Sequence, residues 1–274
     1  MTPDLAIELI NATVQIEQPA GAGQRTVGTG FLVSAPGPTG APRTVLVTAA
    51  HVLKKMPMAE VKIGYRTSVA GGDWRFTPQM LTVREGEAPL FVQHPTRDIA
   101  VMSVVAPPEF AKAAIPLAWL ADQGGAETSS LGPGDELFAL GFPRGLSANK
   151  AGFPILRAGR VASYPIAPSS SYPTFLLDFA VFAGNSGGPV FRAGAERGAV
   201  AGQAPQGGFI AGVLTQQVEL KNDRLEIGIV THAAYVREAI ALLDGEAAPA
   251  AAALLTSNTV EGAEDAVSVE DAGD

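Results

Sequence analysis

No cysteine occurs in the 274-residue chain. That excludes disulfides, a thiol nucleophile and a thiolate metal site, and it suits a reducing, cytoplasmic setting. Histidine is nearly as scarce: only His51, His94 and His232 occur, far apart and outside any HExxH pattern, so neither a catalytic metal nor another cofactor is expected. No run reaches the ~18 uncharged apolar residues that a membrane helix needs. The first apolar stretch, Leu5 to Ile10, has no preceding base and contains Glu8, which argues against an export signal. Without a basic patch, a P-loop or a basic aromatic stretch, nucleic-acid and nucleotide partners are not expected either.

What the chain does have is turn formers: 31 glycines and 21 prolines, within a composition that is 47% apolar. This argues against a helical protein and favours a turn-rich β fold with enough apolar surface for sizeable cores. The net charge of −8 is not spread evenly. Residues 245–274 carry seven acids and no base, leaving 20 acids against 19 bases in the rest. That Ala-rich acidic tail has little periodicity and is expected to be disordered, either as a solubilising tail or, as the alternative, a docking segment.

Short runs rich in β-branched and aromatic residues recur from residue 12 to residue 231. Six come first, "ATVQIEQ", "TGFLVS", "TVLVT", "VKIGY", "LTVRE" and "IAVMSV". After a gap come six more, "ELFALG", "ILRAGRVAS", "FLLDFA", "GPVFRA", "FIAGVLT" and "LEIGIV". The Pro- and Gly-rich gap places a boundary near residues 119–134 and divides the chain into an N-terminal β unit (1–125), a second β unit (126–244) and the tail (245–274). Helical patterns are sparse: a turn at "TAAHVLKK", another at "PPEFAKAA", and a closing amphipathic segment "HAAYVREAIALLD".

The stretch "GNSGGPV", residues 184–190, sets a serine among glycines. It fits the G-x-S-x-G elbow of α/β-hydrolases, for which the order Ser186, Asp223, His232 could be assembled. Yet two glycines and a proline stand where the elbow's helix would begin, and no βαβ pattern surrounds them. The order His, Asp, Ser is the better fit: "VLVTAAHVL" carries His51, "HPTRDIAVMSV" carries Asp98, and "GNSGGPV" carries Ser186.

These three segments, in this order, resemble those of the chymotrypsin-fold, trypsin-like serine peptidases, and especially their bacterial HtrA-like branch. The resemblance spans residues 12 to about 240. It implies an all-β fold of two six-stranded antiparallel barrels with a short C-terminal helix, and a serine endopeptidase acting on protein or peptide substrates. His51 would be the base, Asp98 its orienter and Ser186 the nucleophile, because a serine hydroxyl cannot attack an amide unless a base takes its proton. The backbone N–H groups of Gly184 and Ser186 would face the oxyanion. Glycine at 184 permits the backbone this needs, and Pro189 starts the next strand.

Further positions take their reading from the same resemblance. Thr215, in "GVLTQQ", would donate a hydrogen bond to Asp98. Ala180, six residues before Ser186, would stand at the base of the primary specificity pocket; lacking an acid there, the enzyme would prefer small or aliphatic P1 residues over Arg or Lys. Asn185 replaces the aspartate that pairs with a freshly cut N-terminus in secreted relatives, so activation by cleavage is not expected. Asp178 is read as structural; from their own settings rather than from the resemblance, His94, just before Pro95, is read as a surface or loop-bracing residue and His232, after the last strand, as a helix cap or core contact. With only residues 245–274 after the second unit, regulation by the PDZ module of many HtrA-like proteins is not expected. Two alternatives stay open: a latent or inactive module serving as a binding or sensor domain, with an activating partner of unknown identity, and a promiscuous esterase.

Overall fold

The β-branched runs fold as antiparallel strands joined by tight turns in a computed structural model that describes residues 4–123, 125, 130–194, 207–220 and 223–245. The chain runs through α1 (Leu5–Ala12), β1 (Thr13–Gly21), β2 (Gln24–Pro36), β3 (Pro42–Thr48), the one-turn α2 (Ala50–Lys54) and β4 (Glu60–Ile63). The short pieces β5 (Arg66–Ser68), β6 (Trp74–Phe76), β7 (Gln79–Thr82), β8 (Arg84–Glu85), β9 (Ala88–Pro89) and β10 (Val92–Gln93) follow. Next come β11 (Ala100–Val104), α3 (Pro108–Ala113) and β12 (Ile115–Pro116). The second unit consists of β13 (Glu136–Gly141), β14 (Ile155–Val161), β15 (Thr174–Asp178), β16 (Pro189–Arg192), β17 (Phe209–Leu220) and β18 (Asp223–His232), followed by α4 (Ala233–Leu242). The expected acidic tail from residue 246 onward lies outside the described residues, as do residues 124 and 126–129 of the expected boundary.

The fold is mostly β, and its two units close differently. In the second, β13, β14, β15, β18, β17 and β16 form a closed six-stranded barrel. In the first, the sheet runs β10-β11-β3-β2-β1-β4-β7, with β12 parallel to β2, and curls without pairing its ends. The reason lies in the pieces between β4 and β10: β5 pairs only with β6, and β8 only with β9, so those residues form side hairpins and leave short edges.

Strand alternation builds two cores at once. In β2, Phe31 and Val33 face a cluster shared with the second barrel, whereas Leu32 faces the interior of the first sheet; in β3, Val45 and Val47 part from Leu46 in the same way. A one-residue slip of either strand would exchange both cores, so the register is firmly specified. β3 and β11 pair Thr48 with Ala100, which sets the residues just beyond these ends side by side.

Helix α1 was not among the expected elements. Leu5, Leu9 and Ala12 fall on one face and enter the shared core, and the Asp4 carboxylate accepts the Ala6 N–H at 2.9 Å as an N-cap. At its other end the buried Arg66 guanidinium donates to the carbonyls of Ile10, Asn11 and Thr13 (3.1, 2.9 and 2.8 Å) and, across to the second unit, to Gly152 O at 3.0 Å. Burial lowers its pKa to about 10, so it remains a cation, placed where the helix dipole favours one. Helix α4 closes the molecule: Arg237 donates to Leu120 O, Arg43 of β3 pairs with Asp244, and Glu238 accepts from His94 at 3.0 Å.

Candidate active site

Because β3 and β11 are neighbours in register, the chain after Thr48 and the chain before Ala100 emerge at the same end of the sheet. His51 sits in the single turn that follows β3, and Asp98 lies in the loop entering β11. Asp98 grips the histidine twice: Oδ1 accepts the His51 backbone N–H at 2.8 Å, and Oδ2 lies 2.6 Å from Nδ1. The first bond satisfies an N–H that the start of a helix leaves without an intrahelical partner. The second fixes Nδ1 as the protonated nitrogen and leaves the Nε2 lone pair free to accept a proton. Burial pushes the Asp98 carboxyl pKa up, but its hydrogen bonds with the His51 ring and backbone, the charge of that ring and the charge of Lys54 together outweigh this and leave it below the ordinary carboxylate value. Asp98 is therefore held as a carboxylate.

Ser186 lies on the loop between β15 and β16, and this loop explains its own glycines. Gly184 and Gly187 adopt φ of +98° and +90°, a region hostile to side chains. Space is as tight as the torsions: a Cβ on Gly184 would overlap Phe142 O, one on Gly187 would overlap Thr29 O and Thr48 Oγ1, and one on Gly188 would overlap Leu140 O. Pro189 then opens β16, a strand position where a proline costs little. Among the described residues, neither the Gly184 N–H nor the Ser186 N–H donates to a protein acceptor.

The loop is seated against the first unit by Thr29 of β2. Its Oγ1 donates to Gly184 O at 2.6 Å and accepts from the Phe142 N–H at 3.2 Å, while its own N–H donates to Ser186 O at 2.9 Å. Thr48 Oγ1 in turn donates to Thr29 O at 2.7 Å. Thr48 and Ala49, which flank Gly187, lead directly into the turn bearing His51. The serine loop and the histidine turn are thus packed together through Thr29 and Thr48, which the sequence reading passed over. The one available signal was a hydroxyl residue between two glycines in "GTG".

Thr215 does not reach Asp98. Its hydroxyl lies 3.2 Å from Ile229 O and 3.2 Å from Thr231 Oγ1, both on β18. The cause is a register shift between Leu214 and Gln216 where β17 pairs with β18, which turns the extra residue toward the partner strand. Ala180 is half-buried, and its carbonyl accepts from Arg157 Nη1 at 2.8 Å. Asn185 is buried and its side-chain Nδ2 has no partner. Asp178 stays exposed at the end of β15.

The other histidines stand apart from this cluster. His94 accepts the Thr96 N–H at Nδ1 and meets Glu238 through Nε2, bracing its loop against α4. His232 is buried at the end of β18, its ring 5.0 Å from that of Phe175. It takes the N-cap position of α4 without a side-chain capping bond. Burial drives its pKa down to about 4, against weaker opposition from the backbone at Ile166 and Tyr172. Strand β16, not a helix, follows Ser186, so the hydrolase-elbow order has no structural counterpart. Among the described residues no group of three metal-ligating side chains gathers, and no helix is long and apolar enough to cross a membrane.

A family model described as the trypsin-like peptidase domain matches residues 28–202. Among solved structures, the chain is similar to the HtrA-type protease AlgW with a tripeptide, at TM-score 0.51 and 16% identity over 88% of this chain and 64% of that one. It is also similar to a variant of AlgW with a tripeptide, at TM-score 0.53 and 15% identity over 88% of this chain and 62% of that one. At such identities the likeness speaks to the fold, and the chain spans less than two thirds of those proteins' length. No curated protein matches the chain in sequence.

Proposed function

Because the chain belongs to the trypsin-like peptidase family, we propose that it is a serine endopeptidase that hydrolyses protein or peptide substrates through an acyl-enzyme. The observation that carries the reading is the double contact of Asp98 with His51, which leaves Nε2 of a correctly oriented imidazole as the free base. Ser186 Oγ attacks the scissile carbonyl carbon while His51 Nε2 takes its proton. The oxyanion is met by the N–H groups of Gly184 and Ser186, and the charge forming on the imidazole is balanced by the Asp98 carboxylate. His51 then returns the proton to the departing amine. Water repeats the sequence on the ester, releasing the new carboxylate and restoring the hydroxyl. No cofactor is required. Ala180 offers no negative charge to a bound side chain, which supports small or aliphatic P1 residues over Arg and Lys. The cysteine-free composition suits the cytoplasmic setting that belongs to the same proposal.

A second reading, a latent trypsin-like module that binds peptides or senses a partner, is favoured by one observation. Among the described residues no hydrogen bond joins the Ser186 hydroxyl to His51. Such bonds are often long before substrate closes the site. A fluorophosphonate probe separates the two: intact-mass analysis is expected to show one adduct on the wild type, on the peptide containing Ser186, and none on Ser186→Ala. A folded wild type that takes up no probe would leave the latent module as the reading. A labelled enzyme that cleaves esters but no peptide would make it an esterase.

A further inference from the structure

The loop leading into Ser186 passes beside two arginines that have no acidic partner among the described residues. Arg144, on the turn after β13, adopts a left-handed backbone (φ 53°), and its N–H donates to Ala183 O at 2.6 Å. That nitrogen also lies 3.2 Å from where a Gly184 Cβ would stand, so Arg144 is seated against the peptide whose N–H is assigned to the oxyanion. Its side chain is exposed, and its guanidinium lies 5.3 Å from the centroid of Phe182. Arg157 of β14 approaches the same ring at 5.6 Å and that of Phe179 at 5.5 Å, while donating to Ala180 O. Phe182 and Ala180 are four and six residues before Ser186, so both cations stand against the loop that leads into the nucleophile.

Among the described residues, Arg25 and Arg43 each reach a carboxylate, whereas neither Arg144 nor Arg157 does. Two like charges within 5.6 Å of one ring centroid repel each other, a repulsion that water and salt weaken at the exposed Arg144 but do not abolish at low salt. The ring's quadrupole offsets only part of this. A carboxylate between them would relieve the repulsion and accept charge-assisted hydrogen bonds from groups shaped for that purpose.

Building on the peptidase reading, we propose that Arg144 and Arg157 form a carboxylate-selecting rim, and that preferred substrates carry Glu or Asp within two residues of the scissile bond, beside a small or aliphatic residue over Ala180. Arg144 and Arg157 are specificity residues in this assignment and take no part in bond cleavage.

The test uses the full chain carrying Ser186→Ala, so that binding is read without turnover. Four fluorescein-labelled peptides, each with one Glu at either of two positions on either side of a central valine, are titrated by anisotropy against four Gln counterparts. At least one Glu peptide is expected to bind about fivefold tighter than its Gln twin at low salt. That ratio should shrink toward one in 1 M salt and fall when Arg144→Gln or Arg157→Gln is added. The Arg144 side chain makes no hydrogen bond among the described residues, so Arg144→Gln leaves folding intact. Equal affinities in every pair, no binding of any peptide at millimolar concentration, or a ratio untouched in the double Gln variant would each overturn the rim. Failure of the peptidase reading looks different: a Glu preference that depends on both arginines, in a protein whose wild type neither takes up the fluorophosphonate nor cuts any peptide, leaves the rim standing on an acidic-peptide receptor.

Discussion

The histidine half of the site and the serine half are held by different means. His51 and Asp98 belong to one sheet: the pairing of β3 with β11 brings them together, and two hydrogen bonds between them complete the arrangement. The Ser186 loop hangs from the closed barrel but takes its shape at the boundary, where Thr29 and Thr48 of the first unit meet the backbones of Gly184, Ser186 and Gly187. The first half can be set by strand register alone. The second requires the two units to dock, so it is the half most exposed to changes at the boundary.

The largest effect expected is on chemistry without structure. Asp98→Asn should lower kcat by about 10⁴, because the imidazole loses the partner that sets its tautomer, while the melting temperature moves little; retained turnover would detach Asp98 from the reaction. Gly187→Ala attacks the boundary instead. Its methyl would overlap Thr29 O and Thr48 Oγ1 at a positive φ, and a loss of about 3 kcal/mol in denaturant unfolding, together with loss of fluorophosphonate labelling, is expected. A fully stable, fully labelled variant would mean that the boundary does not shape the loop.

His232 gives the second barrel a pH response that the His51–Asp98 pair does not explain. Its pKa falls from 6.5 to about 4 on folding, so between these values the unfolded chain binds more protons than the folded one. Its contribution is complete above pH ~6.5 and is lost as pH falls toward 4, amounting to about 3 kcal/mol. Denaturant midpoints measured from pH 7 to pH 4 should fall more steeply for the wild type than for His232→Gln, and parallel curves would show that His232 is not the group responsible. The smallest effect is the finest probe of the comparison. Thr29→Val leaves Gly184 O and the Phe142 N–H without their partner and should cost about 1–3 kcal/mol. Labelling at Ser186 should slow, and Thr29→Ser, which keeps the hydroxyl, should restore it. A slower rate in both variants would point to packing of the Thr29 methyl instead.

Much of the first unit's role and most of the strands were legible because their signals are local. "ELFALG" coincides with β13, and the runs around Phe175, Val190 and Ile229 fall on β15, β16 and β18. The segments at His51, Asp98 and Ser186 stood out because glycines, turn residues and β-branched runs mark their settings. Helix α1 escaped because its apolar run was weighed only as an export signal, although Leu5, Leu9 and Ala12 recur at helical spacing. Thr215 misled because its place in the strand suggested a direction that a register shift between Leu214 and Gln216 reverses.

By itself the sequence determined the alternation that fills two cores, the turns between strands, and the glycines and proline that only one kind of loop around Ser186 would demand. These are short-range constraints, read from torsions and side-chain period within a few residues. The tertiary structure alone decided that the first sheet stays open, that Thr29 holds a loop 155 residues away, that Thr215 faces β18, and that two arginines share one ring without a counter-charge among the described residues. Each of these depends on how distant strands fall into register and dock, and no local pattern carries that information.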